Sequence, residues 1–460
     1  MRFYNREKEI EILNNLKGDF RVAIVGRRRI GKTRLVEEHY KKNCLTLFIS
    51  AEKSEKEIIN GWIDEYKDIY LVKVDTFKDF FEYLFTKLKD KIIFIDEIQN
   101  ILKVNKSFLF DLQRLIDKHK PRLIVTGSLI RTMKKTVENY KSPLFGRFDM
   151  VLRLKELDFP TTVKICKDLN IDFETSIRLY SVFGGIPKYY ELLEKLKKFE
   201  FEKFIPDMFI YSPRPLYEEV RTMLKEEFGK EQRMFFSIIS AISQGNTKLS
   251  EIANFVGKKP TEITKYLHLL RNDFEIITRE EPITGGKRGI YKIDTNLVDF
   301  WFSNIWRYQE LLEKKDDEKA ANILKNNLNS WTGKKFENII LDLLRGKIIK
   351  SPFDFTEISR WWGNYRDENN VRKELEIDIL ALNKKTKEIL FGECKWKDEV
   401  SAEKICKELK EKSKHVQWNN DKRNESYAVF AKSFKKKINK FEDKKVYCFD
   451  LKDLEKALIK

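Results

Sequence analysis

"GRRRIGKT", Gly26 to Thr33, decides how the first third of this chain folds. It matches the pattern G-x-x-x-x-G-K-[ST], which carries weight only between a strand and a helix. Both flanks comply. "FRVAIV" (20–25) is a short apolar strand, and "KTRLVEEHYKK" reads as a helix that starts inside the loop. Glycines let backbone N–H groups close around phosphate oxygens at a helix N-terminus. The segment Gly26, Arg27, Arg28, Arg29, Ile30, Gly31, Lys32, Thr33 and Arg34 is therefore the candidate nucleotide-binding loop. Lys32 would reach the β- and γ-phosphates of ATP, and Thr33 would ligate Mg²⁺. Three consecutive arginines are unusual in such a loop. Their side chains are expected to point away from the phosphates, toward DNA, a neighbouring domain or solvent.

Outward from the loop, "LTLFIS" (45–50), "KIIFID" (91–96), "RLIVTGS" (122–128) and "MVLRL" (150–154) are further apolar strand runs with helical stretches between them. That alternation indicates an α/β fold with a parallel sheet covered on both faces. "IIFIDEIQ" ends its strand in Asp96, suited to the magnesium shell, and Glu97, suited to orienting or deprotonating the attacking water. "TGS" places Thr126 or Ser128 near the γ-phosphate. Arg147, in "SPLFGRFD", is either an arginine finger that neutralises phosphate charge or a loop anchor.

Composition sets the outer limits. A chain of 460 residues is too long for one ordinary core, so several domains are expected. A net charge of +18 favours a polyanionic partner such as nucleic acid or nucleotide phosphates. The alternative is a lysine-rich solvated surface. The five cysteines are scattered with no C-x-x-C pair, so neither a zinc ribbon nor a disulfide framework is expected. The charged start "MRFYNREKEIEIL" and the lack of a spanning apolar run indicate no signal peptide, no membrane association and a cytoplasmic location.

"FYNREKEIEIL", "VGRRRIGKT", "IIFIDEIQ", "IVTGS", "SPLFGRF" and "GGIPKYY" occur in the order seen in the archaeal ATPase family, and the chain resembles that family over most of residues 1–310. The family belongs to the P-loop ATPases related to the AAA+ and STAND groups. The resemblance implies an ASCE-type core with a catalytic glutamate, a helical lid and a winged helix. The corresponding divisions are 1–157 for the ATPase core, 158–229 for the lid and 230–310 for the winged helix. In the last of these, "KPTEITKYLHLLRND" begins with Pro260 in a first-turn position. "EIITRE" and "GIYKID" flank "PITGGKR" as a wing. Winged-helix proteins lay the third helix in the major groove and the wing on backbone. Lys258, Lys259, Lys265, Arg271, Lys287 and Arg288 are then the candidate phosphate contacts, unless the module binds protein instead.

A last α/β unit is expected over 325–460, after the charged link "LLEKKDDEKA". "TGKKFENIILDLL" is a helix with Glu337 near its start, "LEIDILAL" is a strand presenting Asp378, and "EILFGECKW" is a strand presenting Glu393 and Lys395 on one side. Fourteen residues separate Asp378 from Glu393, enough for a hairpin that sets them side by side. This Glu…Asp…Glu-x-Lys order resembles the restriction-endonuclease-like PD-(D/E)xK nucleases. With "SRWWGNYR" ahead of the aspartate, the unit also resembles the DUF234 domain fused to archaeal ATPases. Glu337, Asp378 and Glu393 would hold Mg²⁺ or Mn²⁺, with Lys395 stabilising developing charge. Glu376 shares a face with Asp378.

These expectations describe a DNA-associated ATPase with a metal-dependent DNA-binding or DNA-cleaving C-terminal domain, and a homo-oligomer if Arg147 acts in trans. The alternative is a nucleotide-gated signalling or scaffold ATPase whose winged helix and C-terminal domain bind proteins.

Overall fold

The apolar runs form strands β1 (Arg21–Val25), β2 (Cys44–Phe48), β3 (Ile92–Asp96), β4 (Leu123–Gly127) and β5 (Met150–Arg153). The structure, a computed structural model, describes residues 2–66, 74–196, 198–284, 289–366 and 369–459. The five strands make one sheet in the order β2-β3-β4-β1-β5, and every pair is parallel. Alternate residues face opposite layers. Val22, Ile24 and Phe94 pack with Leu35 and Val36 on one side, while Ala23, Val25 and Ile95 pack with Phe81, Phe108 and Leu112 on the other. Each of the valine, leucine, isoleucine and phenylalanine side chains contributes about 1.5–3 kcal/mol when fully buried. The order inserts β4 between the phosphate-loop strand β1 and the acid-bearing strand β3, which sets Thr126 beside Asp96.

Five helices follow, from Phe159–Asp168 to Pro215–Phe228, and then Gln232–Ser243, Leu249–Val256 and Pro260–His268. The last of these runs into a π-turn, Leu269–Asp273, before the hairpin of β6 (Ile277–Glu280) and β7 (Ile290–Ile293). Lys287 and Arg288 lie outside the described residues. The helices before and after residue 230 do not have separate cores. Phe228 packs on Phe235 at 4.8 Å and on Phe274 at 5.1 Å between ring centroids, within one apolar cluster running from Leu157 to Trp331. "NLVDFWFSN" is a buried helix, with Phe300, Trp301 and Phe302 fully covered.

The charged stretch before residue 325 is helical from Asp317 on. It opens a 29-residue helix, Asp317–Arg345, about 43 Å long at 1.5 Å per residue. Its first half, from Ala320 to Trp331, belongs to the helical core. Its second half, from Phe336 to Leu344, belongs to the core of the C-terminal unit.

That unit is built on β8 (Glu357–Arg366), β9 (Arg372–Asn383), β10 (Glu388–Lys395), β11 (Val400–Ser401), β12 (Asn424–Ala431), β13 (Phe434–Lys436), β14 (Lys440–Phe441) and β15 (Lys444–Phe449). Six of these form a mixed sheet in the order β14-β15-β12-β10-β9-β8. The long helix covers one face and helix Ala402–Ser413 the other. Helices Phe159–Asp168 and Phe173–Phe183 also lend Phe159, Phe173 and Ile177 to the first face, so the unit is seated on the helical region. Among the described residues, no helix is long and apolar enough to cross a membrane.

Candidate functional site

The phosphate loop leaves β1 at Val25 and enters helix Lys32–Tyr40. A Cβ on Gly26 would lie 2.5 Å from the Leu154 carbonyl oxygen, and Gly31 takes φ +90°, a conformation that disfavours side chains. Both glycines are therefore required by backbone geometry. Lys32 is 5 % exposed, and its ammonium donates to the carbonyls of Gly26 (2.9 Å) and Arg27 (3.0 Å). Burial lowers its pKa, opposed by the charges of Glu97 and Asp96. Thr33 Oγ1 donates to Asp96 Oδ2 at 2.8 Å, and Thr126 Oγ1 donates to Asp96 Oδ1. A hydroxyl and a carboxylate presented together by a loop and a strand end are donors that fit a hard divalent cation. Glu97 follows with φ +57° and ψ +46°, which turns its side chain off the strand line into the cleft. Ser128 Oγ donates to Glu97 Oε2 at 2.7 Å. The cleft, about 380 Å³, is also lined by Phe3, Tyr4, Arg6, Pro187 and Lys188.

The three loop arginines turn to the helical region. Arg27 donates to the carbonyls of Phe274 and Glu275, which close the turn after the third helix. Arg28 is 3.8 Å from Glu226, and Arg29 pairs with Glu219 at 2.6 Å. Arg34 pairs with Glu191 at 3.0 Å. Arg147 is directed away from the cleft of its own chain, donating to both carboxylate oxygens of Asp117 at 3.2 and 3.1 Å and to the Phe145 carbonyl. That is the loop-anchoring arrangement.

In the C-terminal unit the register Gly392↔Ile379 sets Asp378 beside the end of β10, where the Asp378 carboxylate accepts from the Cys394 N–H at 2.8 Å. Opposite Asp378 the β8–β9 register slips between Ser359 and Trp361, so that Arg360 faces two residues of β9. Bulges of this kind re-aim side chains, and Arg360 donates to Glu337 on the long helix. Glu393 is 4 % exposed and accepts from Lys395 (2.7 Å) and from Lys412 (2.9 Å). Burial, then the charge of Asp378, raises the Glu337 pKa, while burial, then the charge of Glu393, raises that of Asp378. Glu376, also close to Glu337, is exposed. The predicted acids thus converge, and their oxygen donors suit Mg²⁺ or Mn²⁺. Glu337 and Glu393 are at present paired with cations and Asp378 with a backbone N–H. Among the described residues no three acid, histidine or cysteine side chains stand ready-grouped around a metal position.

Of the candidate DNA contacts, Lys258 and Lys259 lie exposed at the start of the third helix, and Lys265 stands over the Tyr266 ring at 4.6 Å. Arg271 departs from that group. It sits at the other end of the helix, lining a cavity behind the phosphate loop with Arg27 and Glu275. The hairpin β6–β7 meets the C-terminal sheet, with Trp361 Nε1 donating to Thr284 Oγ1 at 3.0 Å, and Lys248 beside it pairs with Glu374 at 2.6 Å.

Sequence reasoning did not single out Gln99, Lys412 or Arg360. Gln99 was visible only as the last letter of "IIFIDEIQ", Arg360 only inside "SRWWGNYR", and Lys412, 17 residues beyond Lys395, carried no local signal.

The parallel sheet, the loop between strand and helix, and the two acids at the end of β3 define a P-loop ATPase extended by a mixed-sheet domain. Family models agree: "AAA domain" matches residues 20–160, and DUF234, "Archaea bacterial proteins of unknown function", matches residues 301–408. A protein of Methanocaldococcus jannaschii, "Uncharacterized protein MJECL04", is 34% identical over 469 residues, covering 98% of this chain and 99% of that one. The chain belongs to the same family as that protein. Among solved structures, the Walker-type ATPase PABY2304 of Pyrococcus abyssi is similar with a TM-score of 0.52 and 18% identity, covering 65% of this chain and 96% of that one.

Proposed function

We propose that this ATPase acts on DNA, with nucleotide binding at the phosphate loop controlling a DNA-contacting helical module and a nuclease-like C-terminal domain. The observation that carries the reading is the bonding of loop residue Arg27 to the carbonyls that end the third helix of that module. A phosphate drawn into the loop therefore acts on the module through one residue. The working divisions are 1–157 for the ATPase core, 158–229 for the lid, 230–310 for a winged helix and 325–460 for a PD-(D/E)xK-like domain.

At the nucleotide site Lys32 leaves the carbonyls of its own loop for the β- and γ-phosphates. Thr33 and Asp96 hold Mg²⁺, which supplies charge neutralisation at the phosphates when bound. Glu97 accepts the proton of the attacking water. Arg28 and Arg29 report closure to the lid through Glu226 and Glu219. Arg147 is left to a trans role in a homo-oligomer or to its loop. At the C-terminal site Glu337, Asp378 and Glu393 hold Mg²⁺ or Mn²⁺, which supplies Lewis acidity toward a phosphodiester when bound. Lys395 stabilises the charge that develops on phosphate oxygens. Lys258, Lys259 and Lys265 contact DNA backbone.

A second reading, a switch that binds protein, is favoured by one contact: the hairpin β6–β7 is engaged by Trp361 and Ile283 packs into the C-terminal core, so the wing is not wholly free for DNA. The experiment uses linear, nicked and branched labelled DNA with Mg²⁺ or Mn²⁺, with and without ATP, across a salt series. Binding that weakens steeply with salt, and cutting lost in Asp378→Ala and Glu393→Ala, supports the DNA reading. Neither binding nor cutting on any substrate would favour the protein switch.

A further inference from the structure

Glu97 is held by more than its backbone. Gln99, two residues on in the turn Ile98–Asn100, is 4 % exposed, and its Nε2 donates to Glu97 Oε2. Ser128 Oγ, from the end of β4, donates to the same oxygen at 2.7 Å. Among the described residues no hydrogen bond reaches Oε1. The carboxylate is thus anchored through one oxygen by two neutral donors, while the other is left open in a cleft shared with Lys32 and Thr33.

Gln99 has a structural peculiarity. Its Oε1 is buried and has no hydrogen-bond partner among the described residues, packed where a Cβ on Gly127 would stand 2.5 Å away. An unsatisfied buried acceptor destabilises a fold, and an apolar side chain of the same shape would avoid that loss. A glutamine serving only to fill this space is therefore a poor choice, whereas a glutamine serving to present its NH₂ to a carboxylate is a good one. Glutamate side chains have several rotatable bonds and lose much freedom when ordered. Chemistry that depends on one oxygen is sensitive to displacement of about 1 Å.

We infer that Gln99 is a positioning residue for ATP hydrolysis, clasping Glu97 Oε2 together with Ser128 so that Oε1 faces the attacking water. The inference rests on the assignment of Glu97 as the base. Gln99 itself touches neither nucleotide nor water in this scheme, and it acts only through Glu97.

The test uses the full chain and the near-isosteric Gln99→Met, which keeps volume and removes both the donor and the orphaned acceptor. Steady-state ATP hydrolysis should fall on the order of 10- to 100-fold in kcat, with KM and the affinity for a non-hydrolysable ATP analogue within about twofold. The thermal midpoint should stay level or rise, because the orphaned acceptor is gone. Ser128→Ala should give a smaller loss of the same kind. Glu97→Gln separates the layers. It should abolish hydrolysis while leaving binding intact, and adding Gln99→Met to it should change the residual rate no further. Wild-type kcat in Gln99→Met, with Glu97→Gln inactive, overturns the clasp alone. Wild-type kcat in Glu97→Gln overturns the assignment of the base. A lower thermal midpoint together with equal losses in both backgrounds would show that Gln99 is structural.

Discussion

Two acidic sites, one at each end of the chain, are built from opposite materials. At the phosphate loop the carboxylates of Asp96 and Glu97 are met by neutral donors: Thr33, Thr126, Ser128 and Gln99. The loop's own lysine is parked on carbonyl oxygens. In the C-terminal unit Glu337 and Glu393 are met by full charges, Arg360 for the first, Lys395 and Lys412 for the second. Neutral donors orient a carboxylate and leave its charge available to a cation. Cationic partners consume that charge, so a metal entering the second site must compete with side chains already there. The first site is ready for its ligand, whereas the second has to be opened.

The sharpest way to break this contrast is Lys32→Ala. Its ammonium is the positive group placed to meet the phosphates, so ATP hydrolysis should fall on the order of 10²–10³-fold while the fold persists. A phosphate-release assay at saturating ATP measures it, and near-normal turnover would remove the phosphate loop from the account. Next, Asp378→Ala and Glu393→Ala should remove metal-dependent DNA cleavage while ATP turnover stays within about twofold, as expected for independent sites. Loss of both activities together would mean that the sites are not chemically separable.

A third variant probes what joins them. Lys335 pairs with Asp299 at 2.8 Å, with side-chain exposures of 4% and 8%. Burial lowers the Lys335 pKa against the pull of Asp299. Lys335→Ala leaves a buried charge without a partner and should cost about 3–5 kcal/mol, read as a lower midpoint in urea unfolding. Lys335→Met, which removes charge but keeps length, should cost less when combined with Asp299→Leu.

The pH dependence of stability sharpens the comparison further. Glu337 and Asp378 have raised pKa values in the folded chain because burial, then the charge of a neighbouring acid (Asp378 for Glu337, Glu393 for Asp378), disfavours their charged forms. Below the unfolded carboxylate range, about 4, both states bind the protons and the contribution is fully present. It is lost as pH climbs from there through the raised values, since the unfolded chain releases its protons first. In metal-free protein, Glu337→Gln should therefore flatten this decline and raise the thermal midpoint near neutral pH. An unchanged profile would mean that Arg360 already neutralises the cluster. The smallest effect is expected for Lys412→Ala, which removes a competitor for Glu393. Mn²⁺ affinity should tighten by roughly fivefold, the equivalent of about 1 kcal/mol, followed by calorimetric titration. Weaker Mn²⁺ binding would place Lys412 in support of the site.

The parts that local pattern could reveal were those whose causes are local. Apolar runs gave the strands of the ATPase sheet, and the spacing of Gly26, Gly31 and Lys32 gave the loop. The 14-residue interval gave the hairpin that brings Asp378 to Glu393. What could not be read depended on partners distant in sequence. Lys412 reaches Glu393 because helix Ala402–Ser413 lies across the sheet, and Arg360 reaches Glu337 because a strand register slips opposite Asp378. The loop arginines were expected to point away from the phosphates, toward DNA, a neighbouring domain or solvent, and only the packing of the helical region reveals Glu219 and the Phe274 and Glu275 carbonyls as their acceptors. The continuous core across residue 230 was hidden for the same reason. Phe228, Phe235 and Phe274 each look like the interior of their own segment until they are seen together.

The helix Asp317–Arg345 has a consequence for how such a protein can be inherited or dismantled. Its first half carries Trp331, whose indole donates to the Ser181 carbonyl, and its second half carries Glu337. A genetic cut on either side leaves an apolar stripe without its cover. The C-terminal domain is not a passenger on a flexible tether that could be exchanged between proteins at will. Whatever it does, removing it uncovers the apolar surface of the scaffold that its first helix completes.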